Sequence, residues 1–107
     1  MAVRAPRTAI SRYQAAEAGS PLSTEIAAEK AAALGRSAQR MSDALKAYWQ
    51  AEDAADADEA LDRAAEAVYG FLIQRELLGL RDRETVIRDY SIPAEVLARL
   101  GATAKRL

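Results

Sequence analysis

Apolar residues recur at helical spacing along the first half of the chain, from about residue 22 to residue 50. The repeat alternates steps of four and three residues, which places all of its members on one side of an α-helix. The pair Ser20-Pro21 is typical of a helix start, because serine caps the free N–H groups and proline fits the first turn. We therefore predict one helix that begins after Ser20 and ends near Gln50. The apolar seam comprises Ala27, Ala31, Leu34, Ala38, Met41, Leu45 and Tyr48.

A second helix is predicted from about Asp58 to Leu78, after a connection over residues 51–57. Asp53, Asp56 and Asp58 are all suitable caps for its N-terminus, and Gly79 is suited to ending it. Its second half is apolar nearly all round, so we expect it to be covered on more than one side. The residues of the main face are Leu61, Ala64, Ala65, Val68, Phe71, Leu72 and Leu78, and Tyr69, Ile73 and Leu77 widen it.

Two short helices are predicted after Gly79. Asp82 can cap the first, over residues 83–90, and Pro93 begins the second, which Gly101 is expected to end. Residues 1–19 are interpreted as a disordered tail, residues 20–101 as a single helical domain, and residues 102–107 as a frayed C-terminus. A tail of this composition lacks the apolar core of a signal peptide.

The fold class that follows is all-α, a long antiparallel helical hairpin with two short C-terminal helices. Alanine and Gly35 in the seam should allow the two long helices to approach closely, with Leu34 near Leu72 and Gly35 near Ile73. The short helices are expected to cover the side of Tyr69, Ile73 and Leu77. A hairpin of this size leaves apolar surface uncovered, so we expect a homodimer that forms a four-helix bundle.

Composition excludes several classes of enzyme. The 107 residues include no cysteine and no histidine, so thiol nucleophiles, disulfides and the commonest general base and metal ligand are all missing. The five glycines are isolated from one another, which excludes a glycine-rich phosphate loop. No segment is apolar enough to cross a membrane, and we expect a cytoplasmic protein. We therefore predict no enzymatic activity and no cofactor.

Six acids lie between residues 52 and 62 with no basic residue among them. A calcium loop that began at Asp56 would need glycine at its sixth position and glutamate at its twelfth, where this chain has Leu61 and Ala67. The acids therefore fit a helix start, whose positive dipole end they stabilise. We predict no metal site.

Charges of both signs are set among apolar residues between residues 74 and 90. Arg75 falls where the apolar seam would continue, so it should pair with a carboxylate. We predict either an ion-pair network that holds the short helices on the hairpin, or a pocket for an anion or a partner's carboxylate. The candidate residues are Arg75, Glu76, Arg81, Asp82, Arg88 and Asp89.

Two further features suggest contacts with other molecules. Tyr48 and Trp49 end the first long helix and are a candidate interface, although core or dimer packing would also explain them. The helix pair over residues 83–100 has the outline of a helix-turn-helix, with Glu95 and Arg99 as its polar readers and a basic N-terminal tail. The chain carries a net charge of −1, so its attraction for nucleic acid is weak.

The chain also resembles a family of short uncharacterised bacterial proteins classed as a domain of unknown function. The resemblance is carried by residues 72–82 and 87–96, and by residues 25–36 of the first helix. It implies a bacterial and cytoplasmic protein, and it assigns no activity. The sequence therefore favours a non-enzymatic protein-interaction or structural module, and the alternative is a DNA-associated regulator that uses residues 83–100 and the basic tail.

Overall fold

The computed structural model describes residues 21–106, and over these residues it has four helices and no strand. The prediction of an all-α fold is confirmed. The N-terminal tail and its arginines lie outside the described residues. The helices are α1 (Pro21–Gln50), α2 (Ala54–Leu77), α3 (Arg83–Asp89) and α4 (Ala94–Arg106).

The chain divides into two units between Ala33 and Leu34. In the described part of the first unit, α1 carries two exposed large apolar side chains, Leu22 and Ile26. In the second unit, α1 buries Ser37, Met41 and Leu45. The predicted bounds of α1 are confirmed, but of its apolar seam only Met41 and Leu45 are fully buried.

Helix α2 begins one turn earlier than the predicted Asp58. Of the three candidate caps, Asp53 is the one that acts, because its Oδ1 accepts a hydrogen bond of 2.8 Å from the backbone N–H of Asp56. The cap satisfies an N–H group that the helix itself leaves unpaired. The connection between α1 and α2 therefore shortens to residues 51–53.

Helix α2 ends in a tight turn built around Gly79. The backbone N–H of Leu80 donates to the carbonyl of Arg75 at 2.8 Å, and that of Gly79 donates to the carbonyl of Glu76 at 2.9 Å. This pair of bonds is the Schellman motif, which needs a left-handed residue just after the helix. Gly79 supplies it with a φ of 83°, which confirms the prediction that it ends the helix.

The last two helices follow the predicted signals, with one exception. Asp82 caps α3 as expected, accepting from the backbone N–H of Thr85 at 3.2 Å. Helix α4, however, continues through Gly101 to Arg106, so the prediction that Gly101 ends it is wrong. Thr103 lies beyond the glycine and is buried, with its hydroxyl donating to the carbonyl of Arg99 at 3.3 Å.

The core of the second unit draws on every helix. Met41 and Leu45 of α1 pack with the buried face of α2, and α3 and α4 add their own apolar side chains to the same cluster. The most extensive backbone contact in the described chain is between α2 and α4. The buried residues of this cluster are Met41, Leu45, Ala64, Ala65, Val68, Phe71, Leu72, Val86, Ile92 and Val96.

Two details of the predicted packing are wrong. No heavy atom lies within 4 Å of the position that a Cβ would take at Gly35, so this glycine does not mark a close helix contact. The short helices also do not cover Leu77, which is 81% exposed. They bury Val86 and Val96 in the shared core instead, which leaves the opposite side of α2 open.

Candidate functional site

A group of polar side chains that the sequence does not predict holds α4 against α1 and α2. We call it the α4 clamp, and it comprises Tyr48, Asp58, Asp62, Glu95 and Arg99. Its centre is Arg99, whose Nη1 donates to Oδ1 of Asp58 and to Oδ1 of Asp62, each at 3.0 Å. The two acids are one turn apart on α2, so a single guanidinium reaches both.

The α4 clamp is partly open to water. The Arg99 side chain is 30% exposed, and its two partners are 67% and 42% exposed. The hydrogen bonds to Asp58 and then to Asp62 raise the pKa of Arg99 above its usual value, which keeps it charged. Since exposed ion pairs contribute little to stability, the clamp mainly fixes the position of α4.

Tyr48 makes the second contact of the clamp. Its hydroxyl donates to Oε2 of Glu95 at 2.9 Å and joins α1 to α4. This hydrogen bond is the main reason that the pKa of Tyr48 is raised, because ionising the phenol removes the proton that it donates, and the negative charge of Glu95 adds a smaller effect in the same direction. Partial burial of the phenol acts in the same direction, and the charge of Arg99 opposes it.

We expect the Tyr48→Phe variant to be less stable than wild type below pH 10. Above pH 10 the stability of the variant should fall less steeply with pH than that of wild type. In the folded protein the raised pKa favours the neutral phenol, so its contribution is present below the unfolded pKa of about 10 and disappears as the pH rises through the folded value. Thermal unfolding of both proteins between pH 8 and 11 measures the effect. Parallel alkaline profiles would contradict it.

The α4 clamp bears on the DNA-binding hypothesis. That hypothesis assigns base reading on the fourth helix to Glu95 and Arg99. Both side chains instead bind partners within the protein, Glu95 with Tyr48 and Arg99 with two acids of α2. Reading a base edge would require these contacts to break first.

The six charged residues singled out between positions 75 and 89 lie around the turn that joins α2 to α3, but only some of them meet. Contrary to the prediction, Arg75 makes no ion pair with a carboxylate of the described residues. Its Nη2 lies 3.4 Å from the carbonyl oxygen of Asp82, and its guanidinium lies over the Phe71 ring at 5.8 Å from the centroid. The carbonyl and the aromatic face together stabilise the cation.

The shortest ion pair of this turn involves a residue outside the predicted set. Arg83 Nη2 donates to Oε1 of Glu76 at 2.8 Å and connects α3 to the end of α2. Arg88 and Asp89 are sequence neighbours whose exposed side chains approach to 3.7 Å, and Arg81 is exposed. The ion pair between Glu76 and Arg83 therefore stabilises this turn. The spacing of the two residues in the sequence does not predict that they meet.

Asp82 organises the start of α3. It accepts from both the hydroxyl and the backbone N–H of Thr85, and these two bonds lower the pKa of Asp82 below its usual value. The charges of Arg88 and Arg75 add smaller effects in the same direction. The carboxylate of Asp82 is therefore a helix cap, and its hydrogen bonds with Thr85 are sufficient to stabilise its negative charge.

The structure separates the two aromatic residues that were predicted as an interface. Tyr48 packs against the core and belongs to the α4 clamp, whereas Trp49 is 55% exposed. The tyrosine is thus explained by the fold. The indole of Trp49 lies on the surface beside the acidic connection, and its role in binding stays a prediction.

A different apolar surface lies at the C-terminal end of α2. Leu77 is 81% exposed and Leu80 is 43% exposed, and Ile73 is half-buried on the same side of the helix. We call the side of α2 that points away from the core its outer face, defined by Glu59, Arg63, Glu66, Gly70, Ile73 and Leu77. The sequence pattern suggested an apolar face here, but not that it would stay uncovered.

Residues 21–106 contain neither a metal site nor a membrane span. In this part of the chain no three acids, histidines or cysteines are placed to hold a metal ion. None of the described helices combines the length and apolar character needed to span a bilayer.

Comparisons with known proteins add a family but no activity. Neither the curated proteins nor the solved structures include a match to this chain. The model of one family of unknown function, DUF6665, matches residues 1–106. This confirms the resemblance to a domain of unknown function that the sequence suggested. Since the match covers nearly the whole chain, the protein belongs to the DUF6665 family.

Proposed function

We propose that this protein is a non-enzymatic interaction module, which acts by binding another protein. The observation that carries the proposal is the exposure of large apolar side chains at the end of α2, with Leu77 81% and Leu80 43% exposed. Leaving such surface in water costs free energy that a binding partner recovers. The neighbouring turn is fixed by Gly79 and by the Glu76–Arg83 pair, so the surface is preorganised.

The pKa shifts of the titratable groups favour a binding function over acid–base catalysis. Three described groups have shifted pKa values, and every shift moves away from neutral pH. Tyr48 is held neutral by a raised pKa, Asp82 is held charged by a lowered one, and Arg99 is held charged by a raised one. A general acid or base needs the opposite, a pKa brought towards the working pH.

The proposal can be tested by photo-crosslinking in the native host. A photoreactive phenylalanine analogue placed at Leu77 should form discrete adducts with protein, either another protein or a second copy of the chain. The same analogue at Lys46, an exposed position of α1, provides the matched control and should form none. Equal labelling from both positions, or no adduct from position 77, would contradict the proposal.

A further inference from the structure

We infer that the turn after α2 binds an acidic side chain of a partner protein, with Arg75 and Arg81 as the cations and Leu80 as the apolar contact. We call these three residues the turn surface. This inference rests on the proposed function, since it names the chemistry of the partner. Of the two interpretations that the sequence leaves open for these charges, it favours a pocket for a partner's carboxylate over an internal ion-pair network.

The acids next to the turn surface already have hydrogen-bond partners, whereas its cations have donors to spare. Both carboxylate oxygens of Asp82 accept from Thr85, and Glu76 accepts from Arg83 at 2.8 Å. Arg81 is exposed, and its guanidinium forms no hydrogen bond or ion pair within the described chain. A surface with unused guanidinium N–H groups is suited to a ligand that brings its own carboxylate oxygens.

Arg75 is held in a fixed position without a paired carboxylate. Its guanidinium lies over the Phe71 ring at 5.8 Å from the centroid, and its Nη2 makes one long contact of 3.4 Å with the carbonyl oxygen of Asp82. A guanidinium has five N–H donors, so most of them remain for a ligand. A stacked guanidinium loses little freedom on binding, and its planar fork matches the two oxygens of a carboxylate.

Leu80 places an apolar side chain between these two cations. Its backbone N–H donates to the carbonyl of Arg75 at 2.8 Å, and Arg81 follows it directly in the chain. The leucine is 43% exposed, and the left-handed Gly79 fixes the turn that presents it. The matching partner is therefore a protein segment that carries an acidic side chain next to an apolar one.

A carboxylate suits the turn surface better than a phosphate group does. Residues 74–90 contain four arginines and four acids, so the region has no net positive charge. A phosphoserine carries about two negative charges at neutral pH, and the acids around the turn would repel it more strongly than a single carboxylate. One carboxylate needs only the two guanidinium groups that are available.

Fluorescence anisotropy with labelled synthetic peptides tests the inference. The probe is a short peptide that has leucine and glutamate residues set among glycine and serine. A second peptide has glutamine in place of each glutamate, and a third has phosphoserine there. The wild-type protein should bind the glutamate peptide at least about tenfold more tightly than the glutamine peptide, since hydrogen bonds to a charged group are lost. The phosphoserine peptide should bind less tightly than the glutamate peptide.

Variants of the turn assign the binding to these residues. Arg75→Gln should weaken binding of the glutamate peptide about tenfold, and Arg75→Lys should also weaken it, because lysine keeps the charge but lacks the planar fork. Arg81→Gln should weaken it several-fold, and it leaves every contact in the described chain intact. Two controls should not weaken binding: Arg40→Gln, at an exposed arginine of α1, and Glu84→Gln, at an exposed acid of α3. Circular dichroism shows whether each variant retains its helices.

A glutamate peptide that binds no more tightly than its glutamine counterpart would overturn the inference. A double variant, Arg75→Gln with Arg81→Gln, that binds like wild type would also overturn it. Tighter binding of the phosphoserine peptide would contradict the choice of a carboxylate. Protein adducts from position 77 that form equally in wild type and in the double variant would then leave the proposed function standing.

Discussion

Replacing Leu45 by alanine should lower the free energy of unfolding by about 2–5 kcal/mol. Leu45 is 1% exposed and lies in the core cluster with Met41 and Val68. The substitution removes buried methyl groups and leaves a cavity that the surrounding side chains can close only in part. This loss is a large share of the roughly 5–15 kcal/mol that stabilises a typical domain.

Leu22→Ala provides the matched control for this prediction. It makes the same chemical change in the same helix at a side chain that is 66% exposed, so the expected change is within about 0.5 kcal/mol. Urea denaturation followed by circular dichroism measures both variants, and the slope of the transition should stay the same. A Leu45→Ala protein as stable as wild type would show that this residue does not lie in the core.

Replacing Gly79 by alanine should destabilise the protein by about 1–2 kcal/mol. At a φ of 83° the new Cβ would crowd the adjacent backbone carbonyl, even though the surrounding space is open. The turn positions Leu80 and the start of α3, so the variant should also loosen the contact between Glu76 and Arg83. Thermal and urea unfolding measure the loss.

Gly35→Ala makes the same substitution and should have the opposite sign. Gly35 lies inside α1, is exposed and has open space around it. Alanine is favoured over glycine in a helix by about 0.5–1 kcal/mol, so this variant should be more stable than wild type. If Gly79→Ala is no less stable than wild type, the turn at Gly79 is not the constraint that its backbone angle indicates.

Local signals predicted the helices well because their causes are local. Pro21 at the first position of α1 and Asp82 before α3 act within one turn, and the type of residue alone identifies them. Asp53, Asp56 and Asp58 were equally suitable caps, and only the completed fold selects Asp53. The prediction that Gly101 ends α4 failed because a glycine inside a helix costs only about 1 kcal/mol, which packing can offset. Thr103, which lies beyond the glycine, is buried.

Contacts between distant residues were not predictable in the same way. Arg99 meets Asp62 across 37 positions, and Tyr48 meets Glu95 across 47. Nothing in the spacing of these residues indicates the pairing, because it depends on where α4 settles against α2. The exposure of the outer face of α2 likewise depends on how the other helices pack. A single sequence shows that Leu77 and Ile73 are apolar, but the packing of α3 and α4 decides which apolar residues remain in water.

The exposure of Trp49 affects how unfolding can be observed. It is the only tryptophan in the sequence, and with 55% of its surface exposed it already meets water in the native state. Its fluorescence emission should therefore change little when the core melts, and a flat emission signal would conceal a complete transition. The same indole is well placed to report a ligand or partner that covers the junction of α1 and α2, where its emission would shift to shorter wavelength.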